Sequence, residues 1–185
     1  MKKISKVLLL VGILILMSAG GARYTYINKK FPEPTLEEYN LHEVIEYRGI
    51  ELTVEDSRLI DEKEIKSMKL PDNKLYINNK IKVIIAKVTL KNTSNETKQI
   101  ECDFFEAESI DWHNGLNMDM FIAINGKDKR PAVSLEPGKE ATLELPYSMF
   151  DFQYNEEDWN NIENIQFDLA LDIYPVKKYV KLNLP

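Results

Sequence analysis

From Ile165 to Ile173 apolar side chains recur at every second position, with Gln166, Asp168, Ala170 and Asp172 between them. Successive side chains of a β-strand point to opposite faces, so this rhythm describes a strand buried on one side. A turn at Pro175-Val176-Lys177 follows, and Val180, Leu182 and Leu184 resume the alternation, which predicts a closing hairpin. No long helix can accommodate that period, so the constraint extends to the fold class.

The same rhythm runs through most of the chain beyond residue 43. Val44 to Val54 alternates around Arg48-Gly49, with Ile50, Leu52 and Val54 on one face, and is expected to be one half-buried strand. Asp61 to Lys74 is charged and contains Pro71-Asp72-Asn73, the signature of a loop with a helical turn and a crossing between sheets. Ile81 to Leu90 places Ile84, Ala86, Val88 and Leu90 on one side and Val83 and Ile85 on the other, so both faces are covered and the strand is central. Lys91 to Thr97 is rich in residues whose side chains bond their own backbone in turns. Lys98 to Glu108 alternates again, so the two runs are expected to form a hairpin.

Further on, Met118, Met120, Ile122 and Ile124 predict another strand, ending at the tight-turn dipeptide Asn125-Gly126. Pro137 and Gly138 occupy the central positions of a type II turn between a short strand near Ala132 and a second from Ala141 to Tyr147. Pro146 marks that second strand as ending at a sheet edge. Asn155 to Ile162 reads as a short helix capped by Asn155, with Glu156, Glu157 and Asp158 in its positively polarised first turn and Trp159 and Ile162 on one face. About eight short strands with turns between them and one short helical turn describe an antiparallel β-sandwich at residues 44–185.

The N-terminus obeys different rules. Lys2, Lys3 and Lys6 lie in a basic segment, 1–6; Val7 to Met17 is apolar apart from Gly12; Ser18 to Ala22 is all small residues. This is an export signal with two outcomes. Gly20 and Ala22 suit cleavage, whereas continuation through Tyr26 gives the roughly 20 residues that span a bilayer, with Tyr24 and Tyr26 at the interface. The longer helix, 7–26, is the preferred reading. The lysines hold the N-terminus in the cytoplasm and send the rest across. Residues 27–43, with Pro32 and Pro34 among charges, are expected to form an extended, stiff spacer.

Charge narrows the partners. The net charge is −6; without the three lysines before the apolar run, 21 basic residues face 30 acidic ones, a net of −9. Such a domain is repelled by nucleic acid and by anionic lipid. Cys102 is the single cysteine, so the chain can form no internal disulfide, and no cysteine follows the apolar run to carry a lipid. In the alternation Ile100, Cys102, Phe104 the thiol reads as a small buried hydrophobe.

The residue types that carry chemistry are sparse. His42, in the spacer, and His113, in a turn-like stretch, are the only histidines, and neither neighbours a strained serine or cysteine turn. Glu106, Glu108, Asp111 and His113 cluster at one strand end, and the two glutamates share a face, but their spacing matches no known calcium loop. A solvated acidic edge is the expected outcome, with no metal and no cofactor. Seven glycines, none in a phosphate-cradling pattern, argue against nucleotide chemistry. Asn92 and Asn95 both satisfy the glycosylation pattern, by chance in a chain with this bacterial-looking N-terminus. Trp112 and residues 121–131, FIAINGKDKRP, are the surface on which binding is first sought, with core packing the competing role for Trp112.

Four segments carry a family resemblance: the anchor with its YINKKFPEP continuation, VIIAKVTLKNTSNETKQI, SLEPGKEATLELPYSM and EEDWNNIENIQFDLALDIYPVKKYVKL. Together they resemble the telokin-like, immunoglobulin-like ectodomains of Gram-positive bacteria. That resemblance implies an immunoglobulin-like sandwich behind a membrane anchor and supplies no catalytic residue. It departs from antibody domains in lacking their cysteine pair. The expected function is a membrane-tethered, extracytoplasmic, non-catalytic binding or accessory module, meeting an envelope protein or extracellular ligand. The alternative is an envelope hydrolase acting on glycan or peptide through acids such as Glu106 and Glu108.

Overall fold

The computed structural model describes residues 2–68 and 80–184. The chain divides into two compact units, residues 1–35 and 36–185. In the first, helix α1 (Lys2–Lys30) runs unbroken through the small residues Ser18 to Ala22 and past Tyr26. Its part from Leu8 to Lys30 is long and apolar enough to cross a membrane, by length and composition. Lys29 and Lys30 end it, where positive charge complements the helix dipole.

The second unit is a β-sandwich. Its strands are β1 (Thr35–Tyr39), β2 (Val44–Tyr47), β3 (Ile50–Ile60), β4 (Ile81–Lys91), β5 (Lys98–Glu101), β6 (Glu106–Ser109), β7 (Trp112–Asn114), β8 (Ala132–Leu135), β9 (Glu140–Phe150), β10 (Phe167–Asp172) and β11 (Val176–Leu182). One sheet has the order β1-β11-β10-β6-β7 and the other β2-β3-β4-β9, while β5 and β8 form a separate pair. The main core lies between the sheets, where Leu52, Val54, Ile84, Val88, Phe105, Leu145, Tyr147, Phe167, Leu169 and Val180 are buried. Within each of β3, β4, β9, β10 and β11 these side chains come from one phase of the period-two pattern, and Phe121, Trp159 and Ile162 join them from outside the strands.

Several expectations hold. The closing hairpin β10–β11 pairs Phe167 with Leu182 and Leu169 with Val180. Strand β4 is central, with β3 on one side and β9 on the other. Its second apolar phase, Ile81, Val83 and Ile85, is covered by a smaller core built with Ile60, Ile65 and Met120. Helix α4 (Glu156–Asn160) starts at Asn155, whose side chain accepts from the Asp158 amide at 2.8 Å, and both Trp159 and Ile162 are buried. Gly138 has φ +74° and Lys139 N–H donates to Glu136 O at 3.0 Å, the geometry of a type II turn.

Other expectations are corrected. Val44–Val54 is two strands, because Arg48 (φ 50°) and Gly49 (φ 82°) form a two-residue turn that pairs Tyr47 with Ile50. The expected spacer contributes β1, an edge strand of the five-stranded sheet. Residues 81–108 form no hairpin: β5 pairs with β8, since β4 has β3 and β9 as its neighbours. Nor does the chain change sheets between β3 and β4, which are antiparallel partners; Glu62–Ser67 there is helix α2, capped by Asp61, and Pro71-Asp72-Asn73 lies outside the described residues. Strand β9 is an edge, but it continues past Pro146 to Phe150. More than one helical turn is present.

The largest correction is α3 (Met118–Asn125), where a strand was expected. Asn117 caps it by accepting from the Met120 amide at 3.1 Å, and Gly126, with φ +93°, ends it. An Asn-Gly pair serves a helix end as well as a hairpin, and the apolar residues 118, 120, 121, 122 and 124 fit either period. The backbone settles it: Phe121 N–H donates to Asn117 O at 2.8 Å and Gly126 N–H to Ile122 O at 2.9 Å, the four-residue step of an α-helix.

Candidate functional site

The outer face of the five-stranded sheet is built from the polar phase of its strands. Register places Lys181 beside Asp168, Asp168 beside Glu108, and Glu108 beside His113, a row of ionisable groups across four strands. In the next row Tyr179 neighbours Ala170, which neighbours Glu106. Alternation turns Ala107, Trp112, Leu169 and Val180 inward from the same strands.

This face carries an open concavity of about 920 Å³, lined by acids Glu106, Glu108, Asp111 and Asp168 and by His113, Gln166 and Lys177. Its apolar lining includes Ile110, at the tip of the β6–β7 hairpin and 98% exposed, and Ile173, at the β10–β11 tip and 58% exposed. All four residues of the expected acidic edge therefore meet here. Trp112 also borders the concavity but is buried in the core, edge-on to Phe167 at 5.7 Å between ring centroids.

Electrostatics sorts these groups. Lys177 Nζ lies 2.5 Å from Glu108 Oε1, so this carboxylate has a cation of its own. Lys181 is taken by Glu38 at 2.6 Å and Lys178 by Glu37 at 3.3 Å. Those partners hold Glu38 and Glu37 below the usual carboxylate range, through hydrogen bonds from Lys181 and Tyr179 to Glu38 and from Tyr39 and Lys178 to Glu37. Asp168 goes the other way: burial, more than the nearby Glu108 charge, raises its carboxyl, against a hydrogen bond from Gln166 at 3.3 Å. Among the described residues Glu106, Asp111 and Asp168 have no ion-pair partner, and no three or more His, Cys, Asp or Glu side chains gather to hold a metal ion.

Asp168 was missed in the sequence, where it is one of many polar alternates. The available signal was its place in the polar phase of β10; its pairing with Glu108 depends on register between segments 60 residues apart. The other expected positions lie elsewhere. His42 occupies the turn between β1 and β2 at φ 68°, with Nδ1 4.0 Å from Glu55. His113 belongs to β7 rather than to a turn and is exposed. Residues 121–131 divide: Phe121 is core, 122–125 complete α3, and Asp128, Lys129 and Arg130 border a separate 230 Å³ hollow.

Cys102 is buried as expected, and burial pushes its thiol up to about 12. Phe104 does not continue its alternation. A 3₁₀ turn at Cys102–Phe104 advances the phase by one residue, leaving Phe104 64% exposed and seating Phe105 against Tyr47. Asn92 is also buried: its Nδ2 donates to Glu96 O and Leu135 O, both at 2.7 Å, and its Oδ1 accepts from the Ser94 amide at 2.9 Å. It is a staple of the fold.

A family model covers residues 35–178, from the first residue of β1 into β11. The chain belongs to the DUF5028 family, a domain of unknown function. The match begins at Thr35, within the stretch expected to be spacer, in accord with the place of β1 in the sheet. The DUF5028 chain is similar in structure to uncharacterised proteins of Gram-positive bacteria. One is a β-sandwich protein from Clostridium difficile 630 (14% identity, 80% of this chain, 95% of that one, TM-score 0.47). Others are the yjhA protein of Bacillus subtilis (13%, 78%, 98%, 0.47) and a functionally unknown protein from Listeria monocytogenes EGD-e (13%, 77%, 81%, 0.46). No protein of curated function matches the sequence.

Proposed function

We propose that this DUF5028 chain is a membrane-tethered, extracytoplasmic, non-catalytic binding or accessory module, and that it presents the outer face of the five-stranded sheet to its partner. The observation that carries the reading is the unequal treatment of the two sheets. Apolar residues outside the four-stranded sheet lie beneath α2 and α3, whereas the opposite outer face keeps its concavity, with Ile110 and Ile173 in solvent. The anchor reading is supported by an α1 that stays helical through Gly20 and Ala22, the residues suited to cleavage. The lysine-bearing end stays inside and the sandwich outside.

The test has two parts. Protease added to cells stripped of their wall digests the sandwich, and full protection in sealed cells refutes the placement. Crosslinking in cells from several surface positions returns a reproducible envelope partner; absence of any partner from every position refutes the module. A second reading, an envelope hydrolase, is favoured by one observation: Asp168 and Glu108 are cross-strand neighbours in different environments, one carboxyl raised by burial and the other paired with Lys177. Hydrolysis of wall fragments that vanishes in Glu108→Gln would establish it.

A further inference from the structure

The described residues form two apolar clusters, one between the sheets and one under α2 and α3. Neither includes the outer face of the five-stranded sheet, which is an unpartnered sheet face. Its charge is lopsided. The lysines of β11 are committed to Glu37, Glu38 and Glu108, and towards β10 and β6 the groups with no ion-pair partner among the described residues, Glu106, Asp111 and Asp168, are all acidic. Like charges directly opposite across strands are destabilising, and Asp168 faces Glu108 in that way. An arriving cation relieves the repulsion.

Resting on the binding-module reading, we propose that this concavity docks a segment of a partner protein in which lysine or arginine side chains stand among apolar ones. The basic group sits over Asp168 and Glu108, and the apolar neighbours cover Ile110 and Ile173 at the two rims. Charge complementarity selects the occupant: nucleic acid and anionic lipid are repelled, and a bare ammonium leaves both isoleucines in water. Among the described residues no three such ligands gather to hold a divalent ion. The concavity, at about 920 Å³, is within the range that holds a ligand of several residues' bulk.

The experiment uses the full-length chain in nanodiscs of zwitterionic lipid, with isoleucine methyl groups labelled for NMR. The probe is a short peptide alternating leucine and lysine, and the control alternates leucine and glutamate. The lysine peptide shifts the Ile110 and Ile173 methyls, the glutamate peptide does not, and Asp168→Asn with Glu108→Gln weakens binding by about tenfold or more. Equal response to both peptides, or unmoved Ile110 and Ile173, overturns the proposal. A photo-crosslinker placed at Ile110 in cells separates it from the module reading. Capture through a mapped lysine- or arginine-bearing segment supports the proposal, whereas capture through an acidic or wholly apolar one overturns it and leaves the module intact.

Discussion

The two sheets of this sandwich share an inner face and differ on the outside. On the four-stranded sheet the second phase of β4 is as apolar as the first, and α2 and α3 fold back over it with Ile65 and Met120. On the five-stranded sheet the second phase is ionisable, and no apolar cluster forms there among the described residues. The comparison teaches that one period-two rule has two readings on its second phase. Apolar residues there demand a cover from the same chain, because exposed apolar area is costly. Charged residues need none, so their face stays available.

Edges differ in the same way. The outer edge of β9 is closed by side chains: Asn125 donates to Glu144 O at 2.7 Å and accepts from its amide at 2.9 Å. Asn117 N–H reaches Pro146 O at 2.9 Å, and Asn114 reaches Ser148 O at 2.8 Å. With Pro146 lacking an amide proton, this edge offers little to an incoming strand.

Four substitutions, measured by urea unfolding of the full chain in detergent, sharpen or break the contrast. Met120→Ala empties the covered face and costs about 2–5 kcal/mol; a cost near zero means α3 is no true cover. Asn125→Leu strands the Glu144 amide and carbonyl and costs about 1–3 kcal/mol. Asp168→Asn on the open face is stabilising at neutral pH, by roughly 0.2–1 kcal/mol for removal of one like-charged cross-strand pair. Because burial raises the Asp168 carboxyl, the folded chain holds that proton more tightly than the unfolded one. The native chain therefore loses stability relative to the variant as pH rises from the ordinary carboxylate value through the raised one, and the gap closes in acid. A variant less stable at pH 7 contradicts this sign. Smallest of all, Ile110→Ser at the rim changes stability by less than about 0.5 kcal/mol, and a larger loss shows that Ile110 packs on its own chain.

Legibility in the sequence was uneven for physical reasons. The β10–β11 hairpin and the centrality of β4 were readable because each strand carries its burial pattern within a few residues. The α4 cap at Asn155 was equally local. Residues 118–125 were misread because Met118, Met120, Ile122 and Ile124 satisfy a strand period and Asn125-Gly126 ends either element. Thr35–Tyr39 has little apolar content to mark it as a strand; it is a hydrogen-bonded neighbour of β11, and Glu37 and Glu38 add ion pairs to Lys178 and Lys181. Of the site, Glu106, Glu108, Asp111 and His113 were visible as a local cluster, while Asp168 and Lys177 were not.

By itself the sequence determined a helix of membrane-crossing length at one end and an antiparallel sandwich after it, because side-chain polarity at successive positions dictates which faces avoid water. The tertiary structure decided which strands became neighbours, which outer face was covered and which carboxylates were left facing one another. Those outcomes depend on register between distant segments, and a local pattern of polarity contains no record of its partner.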